Sequence, residues 1–250
     1  MNTPAEFVGH ELKVDMVEFN DNGTVPTYTP IEYSKKRGGR TLNFKPDSLN
    51  RIFVITDMDS RAETKNPGNN PFTDVKEAEW YFPYVIQANQ AGLMTGLNAT
   101  YFGPNDKMSR AMAATVLYRM AGEPVTTDTQ VFPDAPSGQW YSKAVKWASD
   151  NKVITGYKTG YFGPDDYVTR EQLATMIYRY QQNVSGKSTS EKASLDKFPD
   201  RKNVNAFAKD AVQYCVSKGI ITGSHGYLLP VDNATRAECA KMLLAARDTK

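Results

Sequence analysis

Between about Phe72 and Arg247 the chain repeats one pattern three times, and this limits its possible folds more than any other property of its 250 residues. The copies open with Phe72-Thr73-Asp74, Phe132-Pro133-Asp134 and Phe198-Pro199-Asp200. An aromatic start to a helix follows, Trp80-Tyr81, Trp140-Tyr141 and then Phe207 alone. That helix is expected to end in a tight glycine turn, Met94-Thr95-Gly96, Ile154-Thr155-Gly156 and Ile221-Thr222-Gly223. After it stand Tyr101-Phe102-Gly103-Pro104-Asn105-Asp106, Tyr161-Phe162-Gly163-Pro164-Asp165-Asp166 and, with losses, Tyr227-Leu228-Leu229-Pro230-Val231-Asp232. A second helix begins at Ser109-Arg110-Ala111, Thr169-Arg170-Glu171 and Thr235-Arg236-Ala237-Glu238. Phe72 to Phe132 and Arg110 to Arg170 are both 60 residues, whereas Phe132 to Phe198 and Arg170 to Arg236 are both 66. The polar stretch Gln182 to Lys197, rich in Ser, Thr and Lys, absorbs the extra residues as a linker.

Each motif has a local physical reading. In the first helix of the second copy Tyr141, Ala144, Val145 and Ala148 recur at three- and four-residue steps, and Ala208, Ala211, Val212 and Cys215 repeat the apolar stripe in the third. The glycine turns are expected to reverse the chain at positive φ. Thr169-Arg170-Glu171-Gln172 and Thr235-Arg236-Ala237-Glu238 fit a capping box, while Ser109 keeps the cap but has Met112 in place of the reciprocal acid. The second helices continue apolar through Leu173, Met176, Ile177 and Tyr180, and through Met242 and Leu243. One such hairpin cannot bury both of its stripes, so neighbouring copies must cover them. The expected fold is therefore mainly α: three helix-turn-helix repeats, 71–123, 131–182 and 198–247, closed into a pseudo-threefold helical bundle with grooves between copies and a linker at 183–197.

Composition excludes several functions. Thirty basic against 28 acidic residues give a net charge of +2, without the clustered excess that phosphate neutralisation requires, and the one dense basic run, Lys35 to Arg40, suits a solvated loop; no nucleic-acid partner is expected. Cys215 and Cys239 form no CxxC pair and lie in apolar helical patterns, which suits buried free thiols, although a disulfide between two helices of one repeat stays open. No metal-ligand spacing and no cofactor motif is present. His10 and His225 are the only histidines, no nucleophile motif such as GxSxG occurs, and no pair of carboxylates among 28 is singled out, so the repeats read as non-catalytic. No segment has the length of a membrane span, and Met1 to His10 lacks the pattern of a signal peptide; an export signal is expected elsewhere, in a longer protein of which this chain is part.

Arg110, Arg170 and Arg236 each follow a cap residue, which places a guanidinium at the positive end of a helix beside unsatisfied amides, as an anion site would require. With Trp80 and Trp140 nearby they would suit an acidic sugar, the Arg forking a carboxylate and the aromatic face covering the ring. Equally, each Arg could pair with Asp74, Asp134 or Asp200 and merely pin the hairpin. Trp80, Trp140 and Phe207 suit core packing at the helix start as well as ligand stacking. Asp106, Asp166 and Asp232 could line a groove, although Gly-Pro-x-Asp favours their stabilising the turn before the second helix.

The three blocks closely resemble S-layer homology repeats, the cell-surface anchoring modules of many bacteria, over about 175 of the 250 residues. The matching residues are the opening Phe-x-Asp, the aromatic helix start, Ile-Thr-Gly, Phe-Gly-Pro-x-Asp and the Thr-Arg-Ala-Glu signature, intact at Thr235 to Glu238. The resemblance implies a secreted, monomeric module at the cell wall, bound without covalent linkage to secondary cell-wall polysaccharide attached to peptidoglycan. That polymer often presents a pyruvylated sugar whose carboxylate meets the arginine. On that analogy the ligand residues are Arg110, Arg170, Arg236, Trp80, Trp140, Gly96, Gly156 and Gly223, with no catalytic residue and no membrane insertion. The copies depart unequally from the pattern, which implies unequal grooves. Arg170 stands out because its copy keeps the Trp, the Gly-Pro turn and the capping box together.

Residues 1–70 do not repeat. Glu11 to Phe19 alternates as a strand does, Asp21-Asn22-Gly23 is a turn signal, and Leu49 to Thr56 suggests another strand, which together make a small β-rich segment. His10 to Phe19 followed by Asn22-Gly23-Thr24 resembles the closing strands of five-bladed propeller glycosidases that act on arabinan and xylan. An alternative function follows from that resemblance: the chain would be the C-terminal fragment of a surface-anchored glycoside hydrolase, and the segment would otherwise be a β-rich spacer.

Overall fold

The computed structural model describes residues 70–249 throughout and, before them, five strands. The chain divides into two compact units, 1–66 and 67–250. In the first, β1 (Leu12–Phe19) lies between β2 (Pro26–Pro30) and β5 (Ile52–Asp57), antiparallel to both, while β3 (Ser34–Lys35) pairs with β4 (Leu42–Asn43). The strand expected at Glu11 to Phe19 is thus the central one, and that expected at Leu49 to Thr56 runs over Ile52–Asp57. β2 begins and ends on proline, which an edge strand tolerates because its outer amides need no partner. The expected turn at Asp21 to Gly23 and most of the basic run fall outside the described residues.

The second unit holds six helices among the described residues, two per repeat. The first helices are α1 (Phe82–Gln90), α3 (Ser142–Asp150) and α5 (Lys209–Ser217). The second helices are α2 (Arg110–Met120), α4 (Arg170–Asn183) and α6 (Arg236–Asp248). Both expected capping boxes form: Thr169 and Thr235 accept from Gln172 and Glu238 N–H, and those side chains accept from the cap amides in return. Ser109 accepts from Met112 N–H without reciprocation. The apolar stripes are buried as the periodicity requires, with Ala144, Val145, Ala148, Ala211, Val212, Cys215, Leu173, Ile177 and Leu243 all at most 3% exposed. Both cysteines are free thiols, raised in pKa by complete burial.

The first helices stop earlier than the glycine turns suggested. Each ends six residues before the glycine of its Thr-Gly pair, and Gly92, Lys152 and Gly219 take the left-handed conformation just beyond the helix. The glycine repeated in the motif serves a second turn. Gly156 and Gly223 have φ of 70° and 84°, as expected, but Gly96 does not share the positive φ. Glycine is required at 96 by space instead, since a Cβ would stand 2.3 Å from Asn98 O and 2.7 Å from the Phe72 ring.

Packing explains why one copy would not suffice. The second helix of each copy packs on the first helix of the next: α2 on α3, α4 on α5, and α6 on α1. Trp147 on α3 sits 5.5 Å from Tyr118 on α2 and 6.4 Å from Tyr180 on α4, measured between ring centroids. Just before the second helices the main chain makes a closed cycle of bonds: Met108 N–H to Ala234 O (3.0 Å), Ala234 N–H to Val168 O (2.9 Å) and Val168 N–H to Met108 O (2.9 Å). Met108, Val168 and Ala234 are fully buried. Between the second and third copies the polar stretch is strapped to α5, with Ala193 N–H bonding Gln213 O, Ser217 Oγ bonding Glu191 O, and Leu195 buried.

Candidate functional site

The opening Asp of each copy anchors the loop on which the grooves are built. Asp74 accepts from the amides of Phe102 and Gly103, Asp134 from Phe162 and Gly163, and Asp200 from Leu228 and Leu229, at 2.7 to 2.9 Å. These carboxylates are therefore occupied by backbone N–H groups within their own copy and are not hydrogen-bonded to the arginines. Burial pushes the Asp134 carboxyl up, but the amides of Phe162 and Gly163, with Arg110 beyond them, outweigh it and hold it below the usual value.

The arginines reach across to the next copy. Arg110 Nε donates to Phe162 O at 2.8 Å, Arg170 Nε to Leu228 O at 2.8 Å, and Arg236 Nε to Phe102 O at 2.9 Å. All three side chains are buried. The helix amides beside them are not free, contrary to the sequence expectation. Arg110, Arg170 and Arg236 N–H bond to the carbonyls of Asp166, Asp232 and Asp106, and the next amide along bonds to Pro164, Pro230 and Pro104. The third is held by the cap side chain. Tertiary contacts thus satisfy donors that an isolated helix leaves open, and at this helix end the guanidinium, not the backbone, is left to receive an anion.

The grooves of Arg236 and Arg170 each draw on three copies, with the Arg from one, the glycine turn and second helix from the next, and the tryptophan from the remaining copy. A cavity of about 290 Å3 is lined by Arg236, Thr95, Gly96, Met112, Arg119 and Trp140. Another, of about 240 Å3, is lined by Arg170, Thr222, Gly223, Glu238, Lys241 and Trp80. Trp80 and Trp140 are 53% and 63% exposed, and Phe207 is 58% exposed, so the core-packing reading fails for all three. The buried residue of each pair is the following one, Tyr81, Tyr141 or Ala208. A further cavity of about 320 Å3 shares Thr115, Arg119 and Trp140 with the Arg236 groove and continues it toward Lys143.

The three guanidinium groups differ in what they face. Arg236 Nη2 donates to Thr95 O at 2.7 Å, while Nη1 meets, among the described residues, only the Met112 sulfur at 3.6 Å. Its ring neighbour is Phe102, 4.6 Å from guanidinium carbon to centroid. Burial lowers the pKa of the Arg236 guanidinium, opposed by the charges of Cys239, Asp106 and Asp74. Arg170 Nη1 instead forms an ion pair with Glu238 at 2.8 Å. Arg110 lies beneath the Tyr157 ring, 4.3 Å away, and burial lowers its pKa as well. The 3-10 turn carrying Phe207 (Ala206–Ala208) packs on α4 in the same region, where Glu171 binds Asn205 through both oxygens.

A second cation in each groove escaped the sequence reading. Arg119 bonds Leu93 O, Arg179 bonds Thr155 Oγ1, and Lys241 bonds Thr222 Oγ1 while lying 5.9 Å from the Trp80 ring. The signal was present in part, since Arg119 and Arg179 stand nine residues after Arg110 and Arg170. The third copy hides it, with Ala245 at that position and the charge moved one turn back to Lys241.

Among the described residues no helix is long and apolar enough to cross a membrane and no cluster of metal-ligating side chains occurs. The S-layer homology domain matches the chain at residues 71–114, 131–174 and 197–240, together just over half of it. An endoglucanase of Bacillus sp. (strain KSM-635) is 31% identical over 205 residues, covering 78% of this chain and 22% of that protein. The surface-layer 125 kDa protein of Lysinibacillus sphaericus is 26% identical, with 72% of this chain and 16% of that protein covered. A cellulosome-anchoring protein of Acetivibrio thermocellus is 24% identical, with 61% and 35% covered. The chain thus spans about a third or less of the relatives it matches. Three copies of one motif with these cross-copy grooves, matched in each copy, mean that the chain belongs to the S-layer homology family, whose non-catalytic repeats anchor proteins at the cell surface.

Proposed function

We propose that the groove holding Arg236 binds an acidic sugar of a secondary cell-wall polysaccharide, the pyruvate ketal of a terminal hexose being the best fit. One observation carries the reading: a buried guanidinium whose Nη1 faces only a thioether opens onto a cavity of about 290 Å3 beside the exposed face of Trp140. A carboxylate there gains a charge-assisted bond from a group that burial has already stripped of water, and the indole covers the apolar face of the ring. Arg119 and Gly96 complete the wall, and the neighbouring cavity at Lys143 takes the next sugar of the chain. Trp80, Gly223 and Arg170 line the second groove, while Arg110 and Gly156 belong to the third. The module is a monomer with repeats at 71–123, 131–182 and 198–247, a linker at 183–197, and 1–70 as the end of a preceding domain. Its polymer is linked to peptidoglycan, and the remainder of the protein supplies the cargo.

Retention of the purified chain on wall sacculi from a pyruvylating bacterium, before and after mild acid removal of the ketal, tests this with Arg236→Lys alongside. Binding is expected to be lost with the ketal and weakened at least tenfold by the substitution, because Lys has a single nitrogen and lacks the planar fork that lets Arg236 hold Phe102 O through Nε while Nη1 is presented to the ligand. Equal retention on treated and untreated walls would reject the acidic sugar.

A further inference from the structure

The three grooves carry the same arginine but not the same charge, and the difference lies at one position of the adjoining copy. The third residue of the second helix is Met112 in the first copy, Gln172 in the second and Glu238 in the third. Within its own copy this residue closes the capping box, yet it also borders the arginine arriving from the preceding copy. Arg236 therefore faces Met112, and Arg170 faces Glu238. Resting on the carbohydrate reading above, we infer that Glu238 acts as a built-in carboxylate competitor, so that the Arg236 groove takes an anionic sugar while the Arg170 groove takes a neutral one.

Both oxygens of Glu238 are engaged. Oε2 accepts from Thr235 N–H at 2.8 Å and Oε1 accepts from Arg170 Nη1 at 2.8 Å. The ion pair is largely shielded, with side-chain exposures of 7% for Arg170 and 23% for Glu238. Glu238 thus lies at the edge of the guanidinium that an incoming carboxylate would need, and a ligand carrying its own charge would meet a like charge in a partly dehydrated cavity. A neutral hexose meets no such opposition there and still finds Trp80, Thr222 and Lys241. In the Arg236 groove the corresponding nitrogen has a thioether, a weak acceptor, so a ligand carboxylate replaces nothing of comparable strength. Arg110 lines neither of these two cavities, and the Tyr157 ring covers one face of its guanidinium at 4.3 Å, so the third groove is counted as taking no anion. One anion per chain is the result.

Glu238→Gln separates the two duties of this residue, because Gln172 already makes both capping-box bonds in the second copy. Titration calorimetry of the whole 250-residue chain with the 4,6-O-pyruvate ketal of a methyl hexoside, and with the methyl ester of that ketal, supplies the test. The wild-type chain should bind one equivalent of the acid, and Glu238→Gln two, the new site within about tenfold of the first, with a urea unfolding transition that stays cooperative even where its midpoint falls with the loss of the ion pair. Two equivalents for the wild type, or one for a folded Glu238→Gln, would overturn the competitor role and leave the wall-binding reading standing. Absence of binding by both chains, together with absence of retention on sacculi, would overturn the carbohydrate reading itself and the inference with it. Retention on sacculi without binding of the ketal would overturn the inference alone.

Discussion

The grooves of Arg236 and Arg170 are assembled from corresponding residues of the same three copies, yet one sets a buried guanidinium against a thioether and the other sets it against a carboxylate. Everything beneath them is shared: an Asp that grips two loop amides, a loop carbonyl that accepts from Nε, and helix amides tied to the next copy. The comparison teaches that this architecture separates scaffold from specificity. The scaffold residues must be alike because they close the cycle between copies. The third helix position is free to vary, since Met, Gln and Glu all leave the cap serine or threonine bonded to its amide.

The largest effect should come from breaking the scaffold under one groove and not the other. Asp74→Ala removes two charge-assisted bonds to the loop whose Phe102 carbonyl holds Arg236, and Asp200→Ala does the same beneath Arg170. Each should cost about 2–4 kcal/mol in urea unfolding, but only Asp74→Ala should abolish retention on pyruvylated walls. Equal loss of binding from both would dissolve the distinction between grooves.

Next in size is the reverse of the Glu238 experiment. Met112→Glu completes the capping box at Ser109 and should stabilise the chain by roughly 0.5–1 kcal/mol, while bringing a carboxylate to Arg236 and lowering affinity for the ketal by about tenfold or more. Stability and binding moving in the same direction would show that Met112 does not border the ligand.

A smaller contrast lies in the tryptophans. Trp140→Ala should weaken wall binding by about 3- to 10-fold, in line with roughly 0.5–1.5 kcal/mol for an aromatic face; with the ketal as probe, Trp80→Ala should change affinity less than twofold. Neither should shift the unfolding free energy by more than about 0.5 kcal/mol, because both rings are exposed. Calorimetry and thermal melts on the two variants settle the order.

The smallest expected effect is on pH dependence. Asp134 is held below the usual carboxylate value, so the stability it contributes is present above about pH 4 and is lost as pH falls through the lower folded value. Asp134→Asn should therefore flatten the acid limb of a stability curve measured from pH 6 to pH 2. An unchanged acid limb would show that this carboxylate is not a stabilising anion.

Much of this was readable in the residues. Period and spacing placed six helices, and the Thr-x-x-Gln and Thr-x-x-Glu pairs placed two capping boxes, because capping is decided within four residues of chain. The buried stripes were equally local. The first-helix ends were misread, since a left-handed residue at 92, 152 or 219 stops the helix without the motif that draws the eye. The exposure of Trp80 and Trp140 and the burial of their tyrosine neighbours follow from which face meets the preceding copy, which no periodicity states.

What the sequence by itself determined is the repeat: the unit, its helices, its caps, and the need for copies to cover one another, all of which follow from short-range preferences and from the size of an apolar stripe. Only the tertiary structure decided the grooves. Arg170 shares its copy with Trp140 and Gly156 but its groove with Trp80, Gly223 and Glu238, so features that stand together in the chain are parted in space. The reason is the cyclic exchange of hydrogen bonds between copies, which sends each arginine to a partner 52, 58 or 134 residues away. At such separations charge pairing depends on which copies meet, and that is fixed by packing.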